Sequence, residues 1–200
     1  MSSEMSTRRG YELRKRARTQ EETRRRIVDA VISLHEEVGP ARTTVVEIAD
    51  RAQVSRPTVY SHFPDERSLI AACSGHWMAD NSPPDPAAWA SITDPRERTR
   101  LALGELYAYY APRERMLSNV LRDAALMWSV SEAVEQNFGR YSEAATDVLA
   151  SGWGANRDPR WTRAALELAL DFHTWQTLTQ QAGLGNDESA ELMAALVEAA

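Results

Sequence analysis

Apolar residues recur at helical spacing along nearly the whole chain, and nowhere do they alternate as a half-buried strand would require. The clearest pattern lies between residues 43 and 63. Val45, Ile48, Ala49 and Ala52 share one face and predict a helix from about Val45 to Ala52. Thr44 precedes it and Glu47 follows three residues later, the spacing of a capping box. Gln53 and Val54 form the turn. Ser55 then caps a second helix over about Arg56–His62, where Pro57 is acceptable because first-turn amides have no intrahelical partner. Val59 and Phe63 point inward, which leaves Arg56, Thr58, Tyr60, Ser61 and His62 outward.

The same reading extends in both directions. Thr19 and Glu22 form a second capping box, predicting a helix to about Val38 with Ile27, Ala30, Val31 and Leu34 on its stripe and Gly39-Pro40 as its stop. Residues 1–18 lack apolar periodicity and read as a flexible basic arm: either a solubilising tail or helix extension, or an arm that reaches DNA. Asp65 caps a helix of about Glu66–Asp80, with Leu69, Ile70, Cys73 and Trp77 inward. Residues 81–95 hold four prolines and read as a linker. Asp94-Pro95 opens a helix to about Ala111, and Pro112 separates it from another over about Arg113–Met127. The next starts at Ser129 or Ser131 and runs to about Ala150, before a loop at 151–157. Asp158-Pro159 opens one long helix to about Gln181, and a last helix spans about Asp187–Ala199. The chain is therefore expected to be all-α, with about nine helices. Residues 19–80 would form the N-terminal helical domain and 81–200 a C-terminal bundle.

Charge divides the same way. Net charge is −6, but residues 1–75 hold 13 Lys and Arg against 11 Asp and Glu, and residues 76–200 hold 10 against 18. The first part is thus +2 and the second −8, as a DNA-facing part and a solvated regulatory part would differ. No stretch is apolar and long enough for a membrane span, and the polar, Arg-rich start lacks a signal-peptide core, so a cytoplasmic location is the default. The single cysteine, Cys73, excludes an internal disulfide and reads as a small buried side chain. Four histidines without helical pair spacing offer no metal site, and no phosphate loop or nucleophile elbow is present. Neither a cofactor nor an enzyme activity is expected.

A short helix this polar on one side is suited to lie in the major groove, held by a first helix that crosses the backbone. The run TTVVEIADRAQVS, then RPTVYSHF, then the restart at Asp65 resembles the tetracycline-repressor (TetR) family of transcriptional regulators, over about Thr19–Leu69. Three positions depart from that pattern. Gln53 stands where a Gly is usual, His35 where an aromatic follows Leu, and Glu66 where a phosphate-meeting Lys is common. The resemblance implies a homodimer on a double-stranded DNA operator and release by a small-molecule effector. Arg56 and Thr58 are the candidates for base edges. Thr44, Ser55, Tyr60 and His62 are the candidates for phosphates, with Pro57 and Ser61 on the same surface and Arg67 in the place next to Glu66. A DNA-binding regulator without a ligand, controlled by a protein partner or by abundance, is the alternative.

The C-terminal part carries a surplus of large side chains, the material of small-molecule pockets. Trp89, Tyr107, Tyr110, Met116, Met127, Trp128, Phe138, Tyr141, Phe172 and Trp175 are the candidates, with His173 and Gln176 as polar groups. Met116, Val120, Asp123 and Met127 fall on one stripe of a helix, with Arg122 turned away. Asp123 is then either half of an internal ion pair or a group that selects a cationic or hydrogen-bonding aromatic ligand. Leu166, Leu170, Leu192, Met193, Leu196 and Val197 exceed what one bundle hides, and the family resemblance implies a four-helix dimer interface from the two helices that carry them.

Overall fold

A computed structural model describes residues 2–154 and 157–200. The described residues are helical and include no strand. In order, the helices are α1 (Ser2–Glu37), α2 (Val45–Ala52), α3 (Arg56–His62), α4 (Glu66–Asp80), the single turn α5 (Pro86–Trp89), α6 (Pro95–Tyr110) and α7 (Glu114–Ala124). There follow α8 (Trp128–Val134), α9 (Arg140–Leu149), α10 (Pro159–Leu170), α11 (Phe172–Gln176) and α12 (Asn186–Ala199). A π-helical turn at Glu135–Gly139 joins α8 to α9, and another at Thr177–Gln181 extends α11.

Local capping sets most of these boundaries. The side chains of Asp65, Asp85, Asp94 and Asp158 each accept a first-turn backbone N–H at their helix starts. The start of α1 differs from expectation. The helix runs back to Ser2 through the segment read as a flexible arm, and the Thr19 hydroxyl donates to the Lys15 carbonyl at 3.1 Å instead of capping anything. The linker at 81–95 contains the turn α5, which buries Trp89; its indole N–H donates to Glu105 Oε2 at 2.8 Å. The loop expected at 151–157 is described only outside residues 155–156.

The long helix expected from Asp158 to Gln181 is broken at Asp171, which is extended (φ −71°, ψ 134°). Its carboxylate accepts the N–H groups of His173 and Thr174 and so starts α11 afresh. The break frees carbonyls at the end of α10. Tyr107 and Tyr110 of α6 supply the missing donors, to the carbonyls of Ala169 (2.8 Å) and Leu170 (2.7 Å).

Two apolar cores result. One joins Ile27, Val31 and Leu34 of α1 to Ile48, Val59, Phe63 and Leu69. The other joins Trp89, Leu103, Leu106 and Tyr107 to Leu149, Leu166, Trp175 and Val197. Helix α4 serves both, since Leu69 and Cys73 belong to the first and Trp77 packs on the second. Among the described residues no helix is long and apolar enough to cross a membrane.

Candidate nucleic-acid interface and effector cavity

The α2–α3 unit is held by side-chain caps. Thr44 Oγ1 accepts the Glu47 N–H at 3.3 Å and its own hydroxyl donates to Glu47 Oε2, which also accepts the Thr44 N–H. Gln53 takes the left-handed conformation (φ 55°, ψ 49°), the geometry for which a Gly is best suited. Ser55 Oγ accepts the Thr58 N–H at 3.2 Å and lies 2.8 Å from the Thr58 hydroxyl. Val59 and Phe63 are buried beneath α3. The guanidinium of Arg24, which sequence reasoning passed over, lies 4.3 Å over the Phe63 ring and donates to the His62 carbonyl at 3.3 Å. It fixes the end of α3 from α1.

The outer face of this unit is a hydrophilic surface on a rigid support. Thr44, Ser55, Arg56, Pro57, Tyr60 and Ser61 are exposed, and Thr58 and His62 are half-buried. Tyr60, at 55% exposure, is an unusually open large side chain. Arg67 is drawn elsewhere. It pairs in two parallel bonds with Glu132 of α8, at 2.8 and 2.5 Å, and lies over Trp128. The pair is open to solvent on the Arg67 side, so a phosphate would compete with Glu132 for this guanidinium.

Helix α7 has two working faces. Met116, Val120 and Asp123 share one stripe, which faces the N-terminal helices; the helix expected to reach Met127 ends at Ala124, and Met127 is extended at the start of α8. Met116 and Val120 line a small void of about 50 Å³ with His35, Cys73 and Trp77. Met127 lines a cavity of about 240 Å³ beneath α2 and α3, with Val45, Val59 and Phe63. Asp123 is buried and accepts from Arg122 Nε at 2.7 Å and from the Ala41 N–H at 2.9 Å, so Arg122 does not turn away. Burial pushes this carboxyl up, but the bonds from Arg122 and Ala41 outweigh burial and hold it below the ordinary carboxylate range.

The same face caps the end of α1. Asn119 donates to the carbonyls of His35 and Glu36, Arg115 to Glu37 and Arg122 to Val38. Four carbonyls that a helix end leaves without intrahelical partners are thus answered by one neighbouring helix. Gly39 makes the approach possible: its φ is +95°, and a Cβ there would lie 2.5 Å from Asp123 Oδ2. Next to this joint, burial lowers the His35 pKa to about 4, against the pull of Asp123, so the ring is neutral. Burial raises the Cys73 thiol to about 12, which makes it unreactive.

The opposite face of α7 looks into the C-terminal domain. Leu117 and Leu121 form one wall of a cavity of about 200 Å³. Val134, Phe138, Tyr141 and Ser142, on the helix that contains the first π turn, form another. Tyr110, Leu170, Asp171 and Phe172 complete it at the α10–α11 break. Phe172 meets Tyr110 edge-on, with ring centroids 5.4 Å apart. Of the candidates for a ligand site, Tyr110, Phe138, Tyr141 and Phe172 come together here. The others do not. Trp89, Tyr107 and Trp175 are core residues, and the Trp175 indole donates to Asn186. Trp128 and His173 are exposed, and Gln176 donates to Glu114 and Ser118. Leu117, Leu121, Val134, Ser142, Leu170 and Asp171 were missed as lining residues; a mid-helix Asp was the one available signal. No group of three or more potential metal ligands is assembled among the described residues.

The apolar surplus of α10 and α12 divides differently from expectation. Leu166, Leu170, Met193 and Val197 are buried within the chain, so they are not available as an interface. Leu192 and Leu196 are exposed, and Trp161 and Leu168 of α10 join them at 66% and 59% exposure.

Comparison with known proteins follows the same division. Residues 27–73 match the family model for bacterial regulatory proteins of the tetR family. An uncharacterized HTH-type transcriptional regulator of Mycobacterium tuberculosis is 47% identical over 55 residues, which cover 28% of this chain and 29% of that protein. The alignment therefore spans less than a third of the length of that relative. Solved structures match over most of the chain at low identity. A TetR-like transcriptional regulator from Rhodococcus sp. RHA1 has TM-score 0.61 and 19% identity, covering 88% of this chain and 93% of that one. The transcriptional regulator FadR from Bacillus subtilis, solved in complex with stearoyl-CoA, has TM-score 0.61 and 14% identity, covering 86% and 96%.

Proposed function

We propose that this chain, which belongs to the tetR family of bacterial transcriptional regulators, is a repressor that binds a near-palindromic operator as a homodimer and is released by a small molecule. The observation that carries this reading is the surface of α3. Seven residues stand on buried Val59 and Phe63 and present Arg56, Tyr60 and Ser61 to solvent. Such a helix has little reason to exist except to enter a groove. Arg56 reads a base edge, while Ser55, Tyr60 and Thr44 hold phosphates and set register.

One helix of this length reads few base pairs, so useful specificity asks for two copies. The open apolar face of Trp161, Leu168, Leu192 and Leu196 supports pairing through α10 and α12. Effector binding in the 200 Å³ cavity would press on Leu117 and Leu121 and so move α7, whose other face caps α1. Helix α4, shared by both cores, would move with it. The spacing of the two α3 helices then changes, which biases the dimer away from its DNA-bound form.

The test is selection of binding sites from random duplex DNA, followed by mobility shifts with wild type and Arg56→Ala. A selected site with two-fold symmetry, and a variant that has lost preference for it over random duplex, are expected. An equal loss on both duplexes rejects base reading by Arg56. A monomeric mass at micromolar concentration rejects the dimer.

A further inference from the structure

The chemistry of the C-terminal cavity narrows its occupant. About 200 Å³ is somewhat more than the roughly 150 Å³ that holds a benzene-sized guest, and less than the roughly 300 Å³ at which drug-sized sites begin. One substituted ring fits. A long acyl chain with a nucleotide headgroup, like that in the Bacillus subtilis complex, does not fit the cavity as it stands.

The walls are also selective in charge. Tyr110, Phe138, Tyr141 and Phe172 present aromatic rings, and no Lys, Arg or His is among the described lining residues. The ring faces carry partial negative charge that attracts a cation. Asp171 is the one carboxylate on the wall, exposed and therefore at the rim. Its Oδ1 accepts both N–H groups of the α11 start, whereas Oδ2 accepts no hydrogen bond among the described residues. His173 lies 3.8 Å from Oδ1 but is not part of the lining. Ser142 adds a hydroxyl on the wall formed by Val134, Phe138 and Tyr141. Tyr110 contributes its ring only, since its hydroxyl is committed to the Leu170 carbonyl.

We infer that the effector is a compact aromatic amine, its ring held among Tyr110, Phe138, Tyr141 and Phe172 and its ammonium group at Asp171. The inference rests on the reading of this cavity as the effector site. It moves the ligand-selecting carboxylate from Asp123, which is committed to the α1–α7 joint, to Asp171 at the helix break.

Three probes with the same ring and different heads test it: phenethylamine, phenethyl alcohol and hydrocinnamate, titrated calorimetrically into the full-length protein. Phenethylamine should bind at least tenfold more tightly than hydrocinnamate, with the alcohol between. Asp171→Asn keeps the cap, because Asn is as good an N-cap as Asp. It should bring the amine to within about twofold of the alcohol, as loss of the charged partner demands. Leu121→Trp fills the cavity and should abolish amine binding; Ser142→Phe serves if that variant does not fold. Tighter binding of hydrocinnamate, an amine preference that survives Asp171→Asn, or amine binding that survives the filled cavity overturns the inference. So does failure of all three probes to bind at millimolar concentration. DNA binding and dimer mass are measured separately, so these outcomes leave the reading of α3 and of α10–α12 intact.

Discussion

Asp123→Ala separates a structural carboxylate from a ligand-selecting one. The side chain is about 2% exposed and accepts from Arg122 Nε, Arg122 Nη2 and the Ala41 N–H. Truncation leaves the Ala41 N–H without its partner and the Arg122 guanidinium without its counter-charge. Removing one partner of a buried ion pair costs about 3–5 kcal/mol. Arg122 is about half exposed and regains water, which places the loss near the lower end, about 3 kcal/mol. For a chain of this length that lowers the melting temperature by about 6–12 °C. The pH dependence has a definite sign. The folded-state pKa of Asp123 is depressed, so its stabilisation is fully present above the unfolded value of about 3.9 and fades as pH falls through the folded one. The gap between wild type and variant should be widest at neutral pH and should narrow as acid approaches the carboxylate range. Thermal unfolding of both proteins between pH 7 and the lowest pH at which they fold measures it. An unchanged melting temperature at neutral pH, or a gap that ignores pH, refutes the reasoning. Because Asp123 does not line the cavity proposed for the effector, Asp123→Asn should keep the wild-type affinity for phenethylamine within about twofold, where a binding-site carboxylate would lose about tenfold or more.

Gln53→Gly relieves a left-handed backbone (φ 55°) and should raise stability by about 1 kcal/mol, or about 2–4 °C in melting temperature; a lower melting temperature would show that the Gln53 side chain does more than tolerate the turn. Tyr107→Phe removes the donor to the Ala169 carbonyl at a fully buried site, and urea unfolding should report a loss of about 1–3 kcal/mol, whereas no loss would mean the helix break does not depend on that tyrosine. Leu168→Glu combined with Leu196→Glu places like charges on the open face of α10 and α12, and light scattering should then show monomers in place of dimers; a dimer that persists would place the interface elsewhere.

The helix-turn-helix was legible because its signals are short-range. Thr44, Ser55 and Asp65 each cap a helix within three residues of themselves, and Gln53 occupies the one turn position that asks for a left-handed backbone. Capping by Asp at positions 94 and 158 was equally plain, since each Asp precedes a proline. The start of α1 was missed for the converse reason. Thr19 and Glu22 have the capping-box spacing, but upstream of them Glu, Leu, Lys, Arg and Ala favour continued helix, and no proline interrupts it. The cap spacing lost to propensity, and the Thr19 hydroxyl turned back to Lys15.

The candidate site was legible only in its composition, because periodicity assigns a face to a helix without saying what lies opposite. Met116, Val120 and Asp123 do share a stripe of α7, which ends at Ala124 before Met127, yet that stripe meets α1, and Leu117 and Leu121 take the cavity. Two backbone irregularities border that cavity. The π turn at Glu135–Gly139 carries α8 into α9 along the wall of Val134, Phe138, Tyr141 and Ser142, of which Val134, Phe138 and Tyr141 already fall at the i, i+4, i+7 spacing of one helix face. The break at Asp171 needs Tyr107 and Tyr110, about sixty residues upstream, to answer the carbonyls it frees. A long-range pairing of that kind leaves no periodic trace. The local trace is weak: Asp171 can cap the two amides that follow it, but Asp29 and Asp147 are of the same type and lie inside α1 and α9, so the residue type alone does not mark the break.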